Sequence, residues 1–403
     1  MSEFLKNRGG ELIAKALAGS WRSSVGPPQI SSAELSQVAQ LLIQAGAGAL
    51  VWRRIRGSAL GTSKVGAQFQ QAYRLHRLEG VVHRQKIKQI LAGLRAAGIE
   101  PVLVKGWSVA RLYPEAGLRH YVDVDLCVGG NDYARAQQVL ANLGDDGLYV
   151  DLHRELDHLD LKDWDEFVAR SQLISVDGTE VRVPGAEDHL RILCIHWLRH
   201  GAWKPAGLCD IAVALESRPV EFDWQRCLGS DHVRAGWVAC TIGLANELLG
   251  AGSADILSAL SAQRERLPRW LVPAVLRQWG RSLSPNYREP ALPALFGQLT
   301  NGKEFVGEFF SRLDQPVRAT VALHGRFNNW PRWPYQLGEL LLHSSEGPKQ
   351  LAFMITLARE KVSSRWQRRG ISATARKAFT SLSNALFSMS RPDQKAWKVF
   401  SKS

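Results

Sequence analysis

One segment, residues 102–126, constrains the fold of this 403-residue chain more than any other. It reads VLVKGWSVARLYPEAGLRHYVDVDL. The first apolar run predicts a short strand, the residues after Lys105-Gly106 predict a helix over 107–113, and the closing alternation predicts a half-buried strand. Residues two apart on a strand share a face, so Asp123 and Asp125 are expected side by side, about 6–7 Å apart at Cα. The residues predicted to be buried on the opposite face are Val122, Val124, Leu126 and Val128.

The paired carboxylates predict a metal site. Two carboxylates this close repel each other and lose hydration when they are buried. A divalent cation removes that cost, and Mg²⁺ prefers anionic oxygen ligands while keeping positions open for substrate phosphates. An exposed strand edge without an ion is the alternative, but the apolar neighbours and the upstream Lys105 favour a Mg²⁺ or Mn²⁺ site at Asp123 and Asp125.

The turn between the first strand and the helix predicts a phosphate site. A glycine at a helix N-terminus presents backbone N–H groups and the positive end of the helix dipole. Lys105 adds a formal charge, and Arg119 supplies a planar guanidinium that is also able to pair with Asp123. The residues predicted to bind phosphate are Lys105, Gly106, Ser108 and Arg119.

Further motifs follow in order along residues 75–250. The full set is Lys105-Gly106, Tyr113-Pro114, Arg119, Asp123-Val124-Asp125-Leu126, Val150-Asp151-Leu152-His153, Glu187-Asp188-His189-Leu190 with His196, His200 and Asp210, and Phe222-Asp223-Trp224. This ordered set resembles the signature of an uncharacterised nucleotidyltransferase family within the DNA polymerase beta-like superfamily. The resemblance implies an α+β fold, in which a small α/β module is flanked by N- and C-terminal helical regions. It also implies a third metal-binding carboxylate on a later strand.

Asp151 is the preferred candidate for the third carboxylate. It lies in a strand-like run, residues 148–153, whereas the competing Asp145 and Asp146 precede a glycine and read as a turn. His153, next to Asp151, either lies in the cleft or pairs with a backbone carbonyl. Both interpretations stay open.

Two histidines, His196 and His200, have the i, i+4 spacing of zinc ligands on a helix. No glutamate completes a His-Glu-x-x-His motif, so a structural or substrate-lining role is preferred to zinc. Together with His153 they are the candidates for an acceptor pocket. Asp210 and Asp223 are expected to be helix-cap or packing carboxylates.

Composition favours a reduced, cytoplasmic, globular protein. Hydrophobic residues make up 45% of the chain, which excludes a disordered protein. No apolar run approaches the roughly 20 residues of a membrane span, and the charged N-terminal segment does not read as a secretory signal. The five cysteines are scattered and predict buried thiols rather than a disulfide framework.

The pattern divides the chain into four regions. They are an N-terminal helical region (1–98), a catalytic α/β module (99–184), a helical acceptor-pocket region (185–290) and a C-terminal helical region with a basic tail (291–403). The predicted elements of the first two regions are a capped helix start at Ser31–Glu34, a helix over 65–97, strands over 101–104, 121–128, 148–153, 172–176 and 180–183, and a helix near 131–143. Residues 281–293 predict a loop.

The tail carries most of the excess charge. Residues 359–403 contain eleven Lys and Arg against two acidic residues, a local charge of +9 out of +13. A solvated tail is the simpler interpretation. The alternative is a basic amphipathic segment that contacts a nucleic acid or an anionic membrane surface.

The predicted function is metal-dependent transfer of a nucleoside monophosphate from an NTP to an acceptor hydroxyl, with release of pyrophosphate. Asp123, Asp125 and Asp151 are the predicted catalytic and metal-binding residues. Two alternatives stay open: a nucleotide-binding regulator without turnover, and an RNA-modifying nucleotidyltransferase that uses the basic tail. The nucleotide, the acceptor and the pathway do not follow from the sequence.

Overall fold

The computed structural model describes residues 3–143, 149–154, 159, 164–252, 256, 267–281 and 315–342. Helices and two small sheets form the α+β fold that the sequence predicts. The chain divides into two compact units. The first is Met1–Gly297 with Arg326–Asn329, and the second is Gln298–Gly325 with Trp330–Ser403.

The first unit begins with helices, as predicted for residues 1–98. They are α1 (Glu3–Leu17), α2 (Ser32–Gln44), α3 (Gly48–Ile55) and α4 (Lys64–Ala96). The predicted capping box is confirmed, because the Glu34 N–H donates to Ser31 Oγ and the Ser31 N–H donates to the Glu34 carboxylate. The helix predicted over 65–97 is α4, whose N-cap is Ser63.

An α/β module follows α4. Its elements are β1 (Val102–Val104), α5 (Gly106–Ala110), β2 (Asp123–Val128), α6 (Tyr133–Asn142), β3 (Tyr149–Arg154), α7 (Trp164–Arg170), β4 (Gln172–Val176) and β5 (Thr179–Val183). The strands lie within two residues of their predicted bounds. The helix predicted over 107–113 is α5, which begins one residue earlier and ends three residues earlier than predicted. β1 pairs with β2 in antiparallel orientation, β2 pairs with β3 in parallel, and β4 and β5 form a separate antiparallel hairpin.

The central strand β2 is buried by its neighbours. Val124, Leu126 and Val128 are buried as the alternation predicts. The prediction for Val122 is wrong, since its side chain is 60% exposed. Val122 precedes the first residue of β2, so no strand neighbour covers it.

Helices dominate after β5, as predicted. The first unit continues with α8 (Ala186–Arg199), α9 (Pro205–Glu216), α10 (Trp224–Leu228), α11 (His232–Leu249) and α12 (Leu271–Trp279). The second unit contains α13 (Pro316–Ala322) and α14 (Trp333–Leu342). Asp223 is the N-cap of α10 and its side chain accepts from the Arg226 N–H, which confirms its predicted capping role.

Several other predictions concern the wider chain. All five cysteines are buried thiols outside any disulfide, as expected. Within the described ranges, no helix is long and apolar enough to cross a membrane. Asp145 and Asp146, the predicted loop beyond Arg281, and the basic tail over 359–403 lie outside the described residues.

A close backbone approach between α1 and α12 provides a test of the packing. A Cβ on Gly10 would lie 2.1 Å from the Leu276 carbonyl oxygen, whereas a Cβ on Gly80 of α4 would meet nothing within 4 Å. We expect Gly10→Ala to lower the free energy of unfolding by about 1–3 kcal/mol or more, because backbone must move. Gly80→Ala is the matched control and should raise it by about 0.5–1 kcal/mol, since alanine favours a helix.

Urea denaturation of the full chain measures both values. Equal effects of the two substitutions would show that α1 and α12 do not pack as described.

Candidate active site

The parallel pairing of β2 and β3 brings the predicted carboxylates together. Asp125 lies opposite Asp151 in the strand register, and Asp123 lies opposite Tyr149. Parallel pairing needs a crossover connection, which contains α6. Residues 125 and 151 therefore meet across the sheet although 26 positions separate them.

Asp125, Asp151 and His153 form a compact cluster. The His153 Nε2 atom lies 3.2 Å from Asp125 Oδ1 and 3.3 Å from Asp151 Oδ2. One ligand atom from each of the three residues lies within 4.8 Å of the others. His153 thus contacts carboxylate side chains, and its place in an acceptor pocket stays a prediction. Two carboxylates and an imidazole are a donor set that fits a divalent cation such as Mn²⁺ or Mg²⁺.

Asp123 lies beside this cluster rather than within it. It is half-buried, and its ligand atoms are not part of the three-residue group. Burial raises the pKa of Asp123, and the charge of Asp125 raises it further, while Lys105 and Lys204 act in the opposite direction. The like-charge repulsion that the sequence predicts between Asp123 and Asp125 is therefore present.

Lys105 is buried against the carboxylates. Its Nζ atom lies 2.5 Å from Asp125 Oδ1 and 3.2 Å from His153 Nε2. Burial alone would raise the pKa of Asp125, but hydrogen bonds from His153 and Lys105 and the charge of Lys105 hold it below its usual value. Lys105 adopts a positive φ of 52° at the N-cap of α5, a strained conformation for a residue with a Cβ. The contact of Lys105 with phosphate stays a prediction.

Gly106 lies directly against Asp125. A Cβ on residue 106 would lie 3.7 Å from Asp125 Oδ2 and 3.5 Å from the Asp123 carbonyl oxygen, which are ordinary van der Waals distances. Asp125 Oδ1 contacts Lys105 and His153. Ser108 is fully buried, and its Oγ has no hydrogen-bond partner in the described part of the chain. An unpaired buried hydroxyl is unfavourable unless it finds a partner, such as a ligand.

Arg119 is fixed by a buried ion pair with Asp210. The Arg119 Nε atom lies 2.8 and 2.7 Å from the two carboxylate oxygens of Asp210. The Tyr113 hydroxyl also donates to Asp210, at 2.8 Å. Burial would lower the pKa of Arg119, but the charge of Asp210 raises it, with a smaller effect from Asp123. Asp210 lies inside α9, so of its two predicted roles the structure supports packing and not capping.

The two helix histidines lie next to each other. The ring centroids of His196 and His200 are 4.5 Å apart. His200 is the C-cap of α8. Burial lowers the pKa of His200, and the charges of Lys105 and Lys204 lower it further while Asp125 opposes them. Among the described residues, no third His, Cys, Asp or Glu joins the pair to form a metal site, and the role of the two histidines stays a prediction.

Lys204 is a charged residue near these groups that the sequence analysis does not single out. It interacts with the charges of Asp123, Asp125, Asp210 and Arg119. Pro205, directly after Lys204, signals the start of a helix. This local signal does not show which distant side chains lie near the lysine.

Metal binding is testable by thermal unfolding. We expect Mn²⁺ or Mg²⁺ to raise the Tm of the protein, since a ligand at a hundredfold excess over its Kd stabilises by about 2.7 kcal/mol. Asp151→Asn should remove most of this shift because it removes a carboxylate ligand. The matched control is Asp177→Asn in the exposed β4–β5 turn, which should keep the full shift. An equal metal shift in both variants would contradict the assignment.

The Asp210 pair is testable by denaturation. Asp210→Ala leaves the buried Arg119 without its counter-charge, and we expect a loss of about 3–5 kcal/mol in the free energy of unfolding. Asp223→Ala removes an exposed helix cap and should cost about 0.5–2 kcal/mol. A smaller loss for Asp210→Ala than for Asp223→Ala would show that the Arg119 pair does not stabilise the fold.

Comparison with known proteins gives one family. Residues 31–248, more than half of the chain, match a family described as uncharacterised nucleotidyltransferase. Neither the comparison with curated proteins nor the comparison with solved structures gives a significant match. The matched range contains the strand carboxylates, Lys105, Arg119 and Asp210. The chain therefore belongs to this uncharacterised nucleotidyltransferase family.

Proposed function

We propose that this protein transfers a nucleoside monophosphate from an NTP to an acceptor hydroxyl and releases pyrophosphate. The observation that supports it most directly is the cluster of Asp125, Asp151 and His153 on paired parallel strands within a nucleotidyltransferase-family chain. Phosphoryl-group transfer depends mainly on positioning and on neutralising phosphate charge.

The carboxylates would hold the cofactor. Asp125 and Asp151 would bind Mg²⁺ or Mn²⁺, with Asp123 beside them. When bound, such an ion neutralises phosphate charge and favours ionisation of an attacking hydroxyl.

The acceptor side would be formed by Asp151 and the histidines. Asp151 has a side chain that is 43% exposed, so an acceptor hydroxyl can reach it. In the transfer step the acceptor oxygen forms a bond to the α-phosphorus and the bond from that phosphorus to the β-phosphate oxygen breaks. The hydroxyl proton passes to Asp151 or to water. We propose that His153, His196 and His200 line the pocket for the acceptor.

The phosphates would contact the turn before α5. The backbone N–H of Gly106, the unpaired Ser108 hydroxyl and Arg119 are the proposed donors. Lys105 would also contact the phosphates after exchanging part of its contact with Asp125. Lys105 would then bind phosphate more weakly than an unpaired lysine, because the carboxylate competes for the same ammonium.

One observation favours the alternative of a nucleotide-binding regulator. The Lys105 ammonium already neutralises Asp125 at 2.5 Å, which reduces the charge available to a cation. The two functions differ in turnover, because a regulator binds the NTP without releasing pyrophosphate.

The deciding experiment incubates the full chain with Mg²⁺, each of the four α-labelled NTPs and a cell extract. We expect one NTP to label an acceptor and to release pyrophosphate. Asp125→Asn and Asp151→Asn should each reduce labelling by at least about a hundredfold, the lower range expected for loss of an essential charge at a transition state. Asp177→Asn should label normally.

Circular dichroism checks that each variant is folded, since Asp125→Asn also leaves Lys105 without its counter-charge. NTP binding without labelling would support the regulator. Full Mg²⁺-dependent labelling by folded Asp125→Asn would overturn the metal assignment.

A further inference from the structure

A row of exposed apolar side chains runs along the long helix α4. Leu75, Leu78 and Val82 are 50%, 69% and 63% exposed, and Val81 beside them is 57% exposed. The buried residues of α4 lie on another face of the helix. Monomeric soluble proteins rarely leave apolar side chains together in contact with water, and a continuous patch of them marks an interaction site.

The row belongs to a longer stripe with coiled-coil spacing. Steps of three and four residues alternate along this stripe, and this spacing keeps one side of a helix against a partner helix. All seven members are exposed, and none carries a charge. They will be called the α4 seam and are Gln68, Gln71, Leu75, Leu78, Val82, Gln85 and Gln89. The α4 seam is about 32 Å long, at the rise of an α-helix.

The α4 seam is symmetric under reversal of the chain. Read from either end, it has two glutamines, three aliphatic residues and two glutamines, with Leu78 at the centre. An antiparallel second copy would place Leu78 against the partner's Leu78 and Leu75 against the partner's Val82. Glutamine would face glutamine at both ends, and amides can pair because each is both a donor and an acceptor. An interface with two-fold symmetry requires this self-complementarity.

The residues beside the α4 seam fit the same arrangement. In an antiparallel pair of helices, each side of the seam meets the same side of the partner. One side of the α4 seam carries Ala67, Arg74, Val81 and Lys88. Reversal places Arg74 opposite the partner's Val81 and Lys88 opposite the partner's Ala67. Basic residues on this side therefore face apolar residues and do not repel each other.

The other side of the α4 seam has the same property. Reversal places Lys86 opposite the partner's Ala72. Glu79 comes near the partner's Glu79, but its Oε2 atom lies 3.1 Å from His120 Nε2 of its own chain. A net charge of +13 makes two copies of the chain repel each other in general. The uncharged α4 seam is a surface on which they can approach.

Two other occupants fit the α4 seam less well. Helices that bind an anionic membrane surface have a broad apolar face rich in Trp, Phe or Leu. The α4 seam is narrow and has glutamines at both ends. An acidic helix of another protein would match the basic residues beside the seam, but it would not account for the symmetry about Leu78.

We propose that the protein forms a homodimer in which α4 of one chain packs in antiparallel orientation against α4 of a second chain. The two α4 seams are in contact, and Leu78 lies on the two-fold axis. This interface is separate from the strand carboxylates, so the proposal does not depend on the transfer reaction.

The dimer would support the loop that carries Arg119. His120 of this loop stacks on His76 of α4, with ring centroids 4.3 Å apart. A Cβ on Gly117 would lie 3.0 Å from the backbone nitrogen of Arg77, so the loop and the helix backbone are in close contact. A partner bound at the α4 seam therefore stabilises α4 at the residues against which this loop packs.

Sedimentation velocity of the full chain over a range of protein concentrations measures the dimer Kd. We expect a monomer–dimer equilibrium. Leu78→Glu should raise the dimer Kd at least about a hundredfold, because the two introduced carboxylates face each other and each tenfold is only about 1.4 kcal/mol. Glutamate favours a helix, so α4 itself should not be weakened. The control is Val220→Glu, at a valine outside α4 that is 99% exposed, which should leave the Kd unchanged.

Disulfide formation tests the orientation of the two helices. The five native cysteines are buried, so introduced thiols on the α4 seam are the accessible ones. A disulfide forms only where two Cα atoms come within about 7 Å. Under mild oxidation, a mixture of Leu75→Cys and Val82→Cys chains should form more of the mixed disulfide than either chain forms with itself. Preferential pairing of Leu75→Cys with itself would overturn the antiparallel arrangement.

Two results of sedimentation would overturn the dimer. One is a chain that stays monomeric at every concentration, and the other is a dimer whose Kd is the same in folded Leu78→Glu. Circular dichroism checks the folding of each variant. A monomeric chain that binds phosphatidylserine vesicles, and loses this binding in Leu78→Glu, would assign the α4 seam to a membrane surface instead.

Discussion

The rest of the structure depends on compensating the negative charge of the carboxylates on β2 and β3. The parallel alignment of β2 and β3 places Asp125 opposite Asp151, with Asp123 nearby, and such a concentration of negative charge is unfavourable in a partly buried site. Cations from different parts of the chain compensate it. Lys105 comes from the turn before α5, and Lys204 comes from the turn before α9. The charged residues of the site therefore come from both the α/β module and the helices that follow it.

Much of the local structure follows from the sequence. The strand alternation around Asp123 and Asp125, the capping box at Ser31 and the helix α4 are all properties of short segments, and they appear where they were predicted. Asp151 and His153 lie in the predicted strand-like run, which forms β3. The predicted burial of Val122 is wrong because alternation alone does not show at which residue a strand begins.

The partners of the charged groups could not be predicted in the same way. Arg119 and Asp210 are 91 residues apart, and no local pattern shows that they form a pair. Lys105 contacts Asp125 from a backbone with a positive φ, a conformation that no local pattern predicts at a lysine. The backbone between α8 and α9 is fixed by hydrogen bonds from Trp197 to the Lys204 carbonyl oxygen and from Trp279 to the Ala202 carbonyl oxygen. Such contacts are set by tertiary packing, which overrides local preference.

The loop that carries Arg119 is held at its other end as well. Glu115 accepts hydrogen bonds from Arg53 at 3.1 Å and from Arg56 at 2.7 Å, and both arginines lie at the end of α3. The N-terminal helices thus fix one end of this loop, and Asp210 of α9 fixes the other. The loop gains its shape from elements that lie before and after it in the chain.

The buried pair of Arg119 and Asp210 has a consequence for how the chain reaches its native state. A contact of such long sequence separation forms only after a large loop has closed, and chains that depend on such contacts fold more slowly than chains with local contacts. During synthesis from the N-terminus, β2 and β3 leave the ribosome before α9 does. Until Asp210 emerges, the guanidinium of Arg119 lacks its native partner, and the nascent α/β module remains incomplete.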